Sequence, residues 1–141
     1  MASILKVDDL RGNTSAGDIT ITSEGGAATQ SLQHGLNKCW LNFESDITTP
    51  AIRDSLNVSS LDDIGTGRYR VNYSNNFNAA KEYAGGGMTV RGGNSKGAFV
   101  ALDSQGNINF ATNGTSISVT RSDNTLADQD IVSMLLTGDL A

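Results

Sequence analysis

Residues 55–74, SLNVSSLDDIGTGRYRVNYS, alternate apolar and polar side chains, and this alternation restricts the fold more than any other feature of the chain. Before the turn sequence the apolar positions are Leu56 and Val58; after it they are Tyr69, Val71 and Tyr73. A period of two is typical of a strand with one buried face, and Asp and Gly between two such runs favour a hairpin turn. The segment therefore predicts a β-hairpin that covers a core on one side.

Composition favours the same structural class. The chain has 141 residues, the size of one domain, and Leu, Ile, Val and Phe account for 32 of them. That share is not far above the ~20% at which chains become disordered, but the net charge is only −5, and 16 glycines indicate turns rather than long helices. We expect a mainly β fold, either a small antiparallel β-sandwich or a β-rich trimeric body in which copies share burial.

Four segments follow one another along the chain. They are an extended N-terminal segment (1–24), a linker (25–37), a β module (38–84), and a region with a glycine-rich junction, a second β region and a short C-terminal helix (85–141). In the first segment, alternation near Ile4–Lys6 and Ile19–Ile21 predicts two short strands joined by a loop. The linker has the composition of a flexible connector or a single helical turn.

The glycine-dense sequence EYAGGGMTVRGGNSKG, residues 82–97, predicts a junction or exposed loop in which the backbone turns sharply or approaches another backbone closely. After it, residues 99–102 and 108–110 predict a second hairpin around a turn at 103–107. The sequence TSISVTR then predicts a further strand, with Ile117 and Val119 on one face.

The C-terminal segment changes its period. Ile131, Met134 and Leu135 follow the three-and-four spacing of one helix face. Thr125 and Asp128 have the spacing of a capping box, which satisfies the first free N–H groups of a helix. The pattern predicts one short C-terminal helix, whose apolar stripe is covered by the sheet or by a neighbouring copy.

Residues with recognisable chemistry are few. His34 is the only histidine, and Cys39 is the only cysteine and alternates with apolar neighbours, so it is read as a buried hydrophobe. Neither a nucleophile elbow nor a phosphate loop occurs. We therefore expect no enzyme activity, no cofactor and no metal. A pI near 4.6 argues against nucleic acid as a partner, and no stretch approaches the ~20 apolar residues of a membrane span.

The sequence KCWLNFES followed by AIRDSLNVSSLDDIGTGRYRVNYS resembles a module in virion proteins of tailed bacteriophages, especially marine and cyanobacterial ones. The shared pattern runs K-x-W-x-N-F, then A-I-R-x-S-x-N-V-S-S, then G-T-G-x-Y-x-V-N. The opening sequence MASILKVDDLRG is similar to the short leader of such proteins. The matching residues of the module are Lys38, Trp40, Asn42, Phe43, Ala51, Ile52, Arg53, Ser55, Asn57, Val58, Ser59, Ser60, Gly65, Thr66, Gly67, Tyr69, Val71 and Asn72.

This resemblance implies a small fibre-like or spike-like structural subunit of the virion, made in the host bacterial cytoplasm and attached to the particle by its N-terminus. The implied partners are further copies in a homotrimer, other virion proteins and a host surface glycan. We assign particle docking to Ile4, Leu5, Val7, Ile19 and Ile21. We assign self-association or the core to Trp40, Phe43, Leu56, Val58, Tyr69, Val71, Tyr73, Ile131, Met134 and Leu135.

Two other interpretations fit the sequence. A capsid-decorating (cement) protein is consistent with a chain that is short for a fibre and ends in an apolar helix. A carbohydrate-binding module is the alternative of another class, because Trp40 and the Tyr69/Tyr73 face could stack on sugar rings.

Overall fold

The computed structural model of the chain describes residues 5–15, 19–22, 26, 28–90, 98–102 and 110–141. The chain divides into two compact units, Met1–Leu36 and Asn37–Ala141. Antiparallel strands dominate the described ranges, which confirms the prediction of a mainly β fold. Within these ranges no helix is long and apolar enough to cross a lipid bilayer.

The first unit contains a short two-stranded sheet. Strand β1 (Thr20–Thr22) pairs antiparallel with β2 (Thr29–Ser31), and the single helical turn α1 (Leu32–Gly35) follows directly. The strand predicted near Ile19–Ile21 is confirmed by β1, whereas residues 5–7 form no strand and Ile4 lies outside the described residues. Strand β2 has the sequence TQS and carries no large apolar side chain, so a search for apolar alternation could not find it.

The second unit is one continuous antiparallel sheet of eight strands. They are β3 (Cys39–Glu44), β4 (Ala51–Leu56), β5 (Val58–Gly65), β6 (Arg68–Tyr73), β7 (Ala84–Val90), β8 (Ala98–Leu102), β9 (Gly114–Arg121) and β10 (Ile131–Thr137). Their spatial order is β4-β3-β10-β7-β8-β9-β6-β5. The edge strands β4 and β5 are consecutive in the chain, so the sheet curves until it almost closes. A single curved sheet thus replaces the predicted β-sandwich, and the alternative of a β-rich trimeric body stays a prediction.

The core fills the inside of this curve. Every second residue of β3, β6 and β10 is buried, as expected for strands with one covered face. The rings of Phe43 on β3 and Tyr69 on β6 meet edge to face with their centroids 4.9 Å apart, although four strands lie between β3 and β6 in the sheet. The buried apolar residues are Cys39, Leu41, Phe43, Tyr69, Val71, Tyr73, Phe77, Tyr83, Ile117, Val119, Ala127, Val132, Met134 and Leu136.

Asn57 forms a corner between the two edge strands. Its φ is 59°, a left-handed conformation that Asn tolerates better than most residues. The Asn75 N–H donates to Asn57 Oδ1 at 2.6 Å, and Asn57 Nδ2 donates to the Asn75 carbonyl at 3.1 Å. Leu56 therefore ends β4, and Val58 begins β5 at the opposite edge. The prediction that these two residues share one face of one strand is wrong.

The hairpin after this corner is as predicted. Strands β5 and β6 pair antiparallel, and Leu61 lies opposite Val71. The carboxylate of Asp63 accepts the N–H of Gly65 at 2.9 Å, and Gly67 adopts a φ of 65°. Strand β9 is also as predicted, with Ile117 and Val119 in the core. Part of the second predicted hairpin, residues 103–109, lies outside the described residues.

Strand β10 takes the place of the predicted C-terminal helix. Val132, Met134 and Leu136 face the core with a period of two, whereas the helix prediction relied on the spacing of Ile131, Met134 and Leu135. A run of six apolar-rich residues satisfies both periods, and β10 is an interior strand of the sheet, between β3 and β7. Partners in the sheet, rather than the local pattern, decide its structure.

The residues read as a helix cap also have other partners. The hydroxyl of Thr125 donates to Asp123 Oδ1 at 2.6 Å within a turn. The carboxylate of Asp128 accepts the hydroxyl of Tyr69 and, at 2.7 Å, the N–H of Gly67. Asp128 therefore ties the segment before β10 to the β5–β6 hairpin, and this connection depends on long-range contacts that local spacing does not reveal.

Burial changes the acidity of three core groups. It raises the pKa of the Cys39 thiol from 9.0 to about 12. It also raises the pKa of the Tyr69 and Tyr73 hydroxyls above their ordinary value of 10.0. All three groups are consequently neutral in the folded protein well above the pH at which the unfolded chain ionises.

These shifts predict a loss of stability at alkaline pH. Above about pH 9 the unfolded chain releases the Cys39 proton while the folded chain keeps it, so the folded state binds more protons and its free energy of unfolding falls as pH rises. Urea denaturation at pH 8, 9, 10 and 11 measures this fall. In Cys39→Ala the free energy of unfolding should begin to fall only near pH 10, where Tyr69 and Tyr73 ionise in the unfolded chain. A constant free energy from pH 8 to 11 would contradict the prediction.

Candidate functional site

A row of large apolar side chains crosses the outer face of the sheet. Trp40 on β3 lies directly opposite Leu56 on β4 and directly opposite Leu135 on β10. Residues paired in this way share a face, with Cβ atoms about 5 Å apart. Because Cys39 and Leu41 on either side of Trp40 face the core, this row faces outward. Leu56 and Leu135 are 47% and 43% exposed, and Trp40 is half-buried.

Strand β7 continues the row with glycine. Gly86 lies opposite Leu135, and Gly85 and Gly87 flank it. A Cβ on Gly85 would come within 2.7 Å of the Leu135 carbonyl oxygen, and a Cβ on Gly87 within 2.7 Å of Val100 Cβ, whereas a Cβ on Gly86 would meet nothing within 4 Å. Gly85, Gly86 and Gly87 thus lie in a strand rather than in the predicted junction or loop, whereas residues 91–97 of that stretch lie outside the described residues. The predicted close approach of two backbones is correct.

The space above Gly86 is an apolar depression. It has a volume of about 220 Å³ and is lined by Gly86, Gly87, Met88, Ser133, Met134 and Leu135. No side chain projects from Gly86, so the surface drops there between Leu135 and Met88. The depression therefore lies at the end of the row that Leu56, Trp40 and Leu135 begin.

Exposed apolar side chains also border the depression on its far side. Met88 lies opposite Ser133 on one neighbouring strand and Phe99 on the other, and Val90 lies opposite Ile131. Met88, Phe99 and Val90 are 67%, 52% and 52% exposed. We call the whole surface the outer apolar face: Leu56, Trp40, Leu135, Gly86, Met88, Phe99, Val90 and Ile131. It presents on the order of 500 Å² of apolar surface.

Polar residues beside this face satisfy one another. Asn42 Nδ2 donates to Ser133 Oγ at 2.8 Å, across the β3–β10 pair. Arg53 and Glu44 form an ion pair at 2.8 Å across the β3–β4 pair. Beside the apolar row the sheet therefore carries one ion pair, whose charges cancel, and one hydrogen bond between two side chains.

The residues assigned to self-association or the core separate into two groups. Phe43, Tyr69, Val71, Tyr73 and Met134 are buried, and Val58 packs against them. Trp40, Leu56, Leu135 and Ile131 belong to the outer apolar face. The sheet therefore brings the second group together on one surface, and this group contributes half of the candidate site.

The residues assigned to particle docking belong to the first unit. Leu5, Val7 and Ile21 are 76%, 54% and 50% exposed, and Ile19 is partly buried. Ile4 lies outside the described residues. The docking role stays a prediction, since exposure alone does not identify what these side chains contact.

The tyrosine platform expected for sugar binding does not form. Tyr69 is fully buried and Tyr73 is 5% exposed, and both rings pack against other aromatic rings in the core. Only Trp40 of the expected platform lies on the outside. The prediction that Tyr69 and Tyr73 present a stacking surface is therefore wrong.

Sequence reasoning missed the contribution of β7 and β8. Gly86, Met88 and Val90 alternate with a period of two, which was the available signal for an outward-facing row. Four consecutive small residues, Ala84 to Gly87, obscured it, because such residues are typical of loops. Phe99 was recognised as part of a strand but could not be assigned to a face.

In the described part of the chain, no group of three or more His, Cys, Asp or Glu side chains is placed to hold a metal ion. Protein-family models, curated proteins and solved structures contain no match to this chain.

Two adjacent glycines provide a matched test of how β7 shapes this face. Gly87→Ala should lower the free energy of unfolding by about 1–3 kcal/mol, because the added methyl group overlaps Val100 and the backbone of β10. Gly86→Ala should leave stability unchanged or raise it by a few tenths of a kcal/mol, since its methyl group meets open space. Urea denaturation measures both. An equal loss of stability in both variants would contradict the open space above Gly86.

Proposed function

We propose that this protein is a structural component of a tailed-bacteriophage virion, a small fibre-like or spike-like subunit that attaches through its N-terminal segment. It acts by assembling with further copies as a homotrimer and with other virion proteins, rather than by catalysis. The observation that carries this proposal is the outer apolar face on a well-packed sheet. The largest apolar patch on a soluble protein is commonly of this size and is often functional.

The size of the face suits a protein contact. A standard interface buries about 800 Å² on each partner, of which about 60% is apolar. The outer apolar face, on the order of 500 Å², supplies that apolar share. Three of its residues, Met88, Phe99 and Val90, are each more than half exposed in the single chain and contribute much of this area.

The residues shared with the phage module have structural positions in this fold. Asn57 holds the corner between the edge strands, Gly67 adopts the positive φ of the hairpin turn, and Phe43 and Tyr69 meet in the core. Trp40 lies on the outer apolar face. A pattern that specifies corners, turns and core residues supports a structural module rather than a reactive site.

The exposed leader supports attachment through the N-terminus. Leu5, Val7 and Leu10 lie within six residues of one another and are each more than half exposed, so their side chains are accessible to a partner. The alternative of a cement protein has less support than the sequence indicated, because it relied in part on an apolar C-terminal helix and β10 is a strand.

Native mass spectrometry and sedimentation of the purified chain test the assembly. We expect a trimer. A folded chain that stays monomeric at the highest soluble concentration would contradict the proposal. Immunogold labelling of phage particles with an antibody to the chain tests the location, and unlabelled particles that contain no such polypeptide would contradict it as well.

A truncation separates attachment from assembly. Removal of residues 1–24 should leave the sheet of the second unit folded and assembled, because its core lies entirely within Asn37–Ala141. The truncated chain should fail to join particles when it replaces the full chain during phage growth. Particles that incorporate it normally would show that attachment uses another surface.

A further inference from the structure

We propose that the outer apolar face is the contact between copies of this chain, and that its two halves are complementary to each other. This inference rests on the proposed function and names the partner of that surface. The bulky half of one copy, formed by Leu56 and Trp40, packs on the hollow half of the next, formed by the depression above Gly86 and its borders Met88 and Phe99.

The two halves differ in shape because of the residues that the sheet aligns. On β3 and β4 the row carries a leucine and a tryptophan, whereas on β7 it carries a glycine whose Cβ position is open. The depression of about 220 Å³ has room for a large aliphatic side chain. Leu56, on an edge strand, is 47% exposed and is the more exposed of the two side chains of the bulky half.

The charge on this face allows contact between like chains. Each copy has a net charge of −5, so two copies repel one another unless the surfaces that meet carry little net charge. Glu44 is paired with Arg53, and the residues of the outer apolar face are uncharged. Asp54, opposite Asn42, is a further acid beside the row and lies on the edge strand, and Asp130 directly precedes Ile131. The face is therefore the part of the sheet at which self-repulsion is small.

The available area also suits assembly of identical copies. In a closed trimer each copy uses both halves, one toward each neighbour, so the three contacts together remove on the order of 1,500 Å² of apolar surface from water. Bulky and hollow halves lie side by side on every copy. Each copy can therefore both donate a bulky half and receive one, as closed assemblies of identical subunits require.

Two variants of the full chain test the inference. Gly86→Val fills the hollow half and Leu56→Lys places a charge in the bulky half. We expect each to weaken self-association by roughly tenfold or more in sedimentation equilibrium. Both positions are on the surface, and thermal unfolding and circular dichroism should show that each variant is folded. Ile64→Lys is the matched control, since Ile64 is 44% exposed on β5, outside the face, and should assemble like the unchanged chain.

Mixing the two variants gives the decisive measurement. The bulky half of Gly86→Val and the hollow half of Leu56→Lys are both intact, so an equimolar mixture should form mixed complexes that neither variant forms alone. Failure of the mixture to associate would overturn the inference, as would variants that assemble like the unchanged chain. In the latter case assembly persists through another surface and the proposed function stands. A monomeric unchanged chain would instead remove both.

Discussion

The contact between the Phe43 and Tyr69 rings determines much of this structure. These residues belong to strands near opposite edges of an eight-stranded sheet, and their rings can meet only if the sheet curves around them. Once they face inward, the register of β3 and β6 is fixed, because a shift by one residue would move every side chain to the other face. Trp40 must then lie outside. The exposed apolar row is therefore a consequence of how the core is packed.

Alternation in the sequence predicted the β class and the β5–β6 hairpin because those features depend on neighbouring residues. It could not predict the corner at Asn57, since alternation continues across it while the chain passes from one edge strand to the other. It also mistook β10 for a helix. Seven residues are too few to separate the helix period from the strand period. The position of β10 between β3 and β7 depends on distant parts of the chain.

The same limit of the alternation pattern applies to the candidate site. Alternation shows that two faces of a strand differ, but not which one is inside when both carry large apolar residues. Strand β3 illustrates this: Trp40 stands between Cys39 and Leu41, and only the partners across the sheet bury those two residues and leave Trp40 on the outer side. The role of Gly86 in the shape of this surface could not be predicted from sequence. Its role is the absence of a side chain at one point of an otherwise bulky surface.

The glycines of β7 therefore have two different functions that local composition cannot separate. Gly85 and Gly87 are required by the close approach of β10 and β8, so they maintain the sheet. Gly86 has space above it and is not required by packing within the chain, although glycine weakens a strand by its conformational entropy. A residue that costs stability without serving its own fold is best explained by something that approaches from outside. The bulky half of a second copy has the shape and the neutral character to do so.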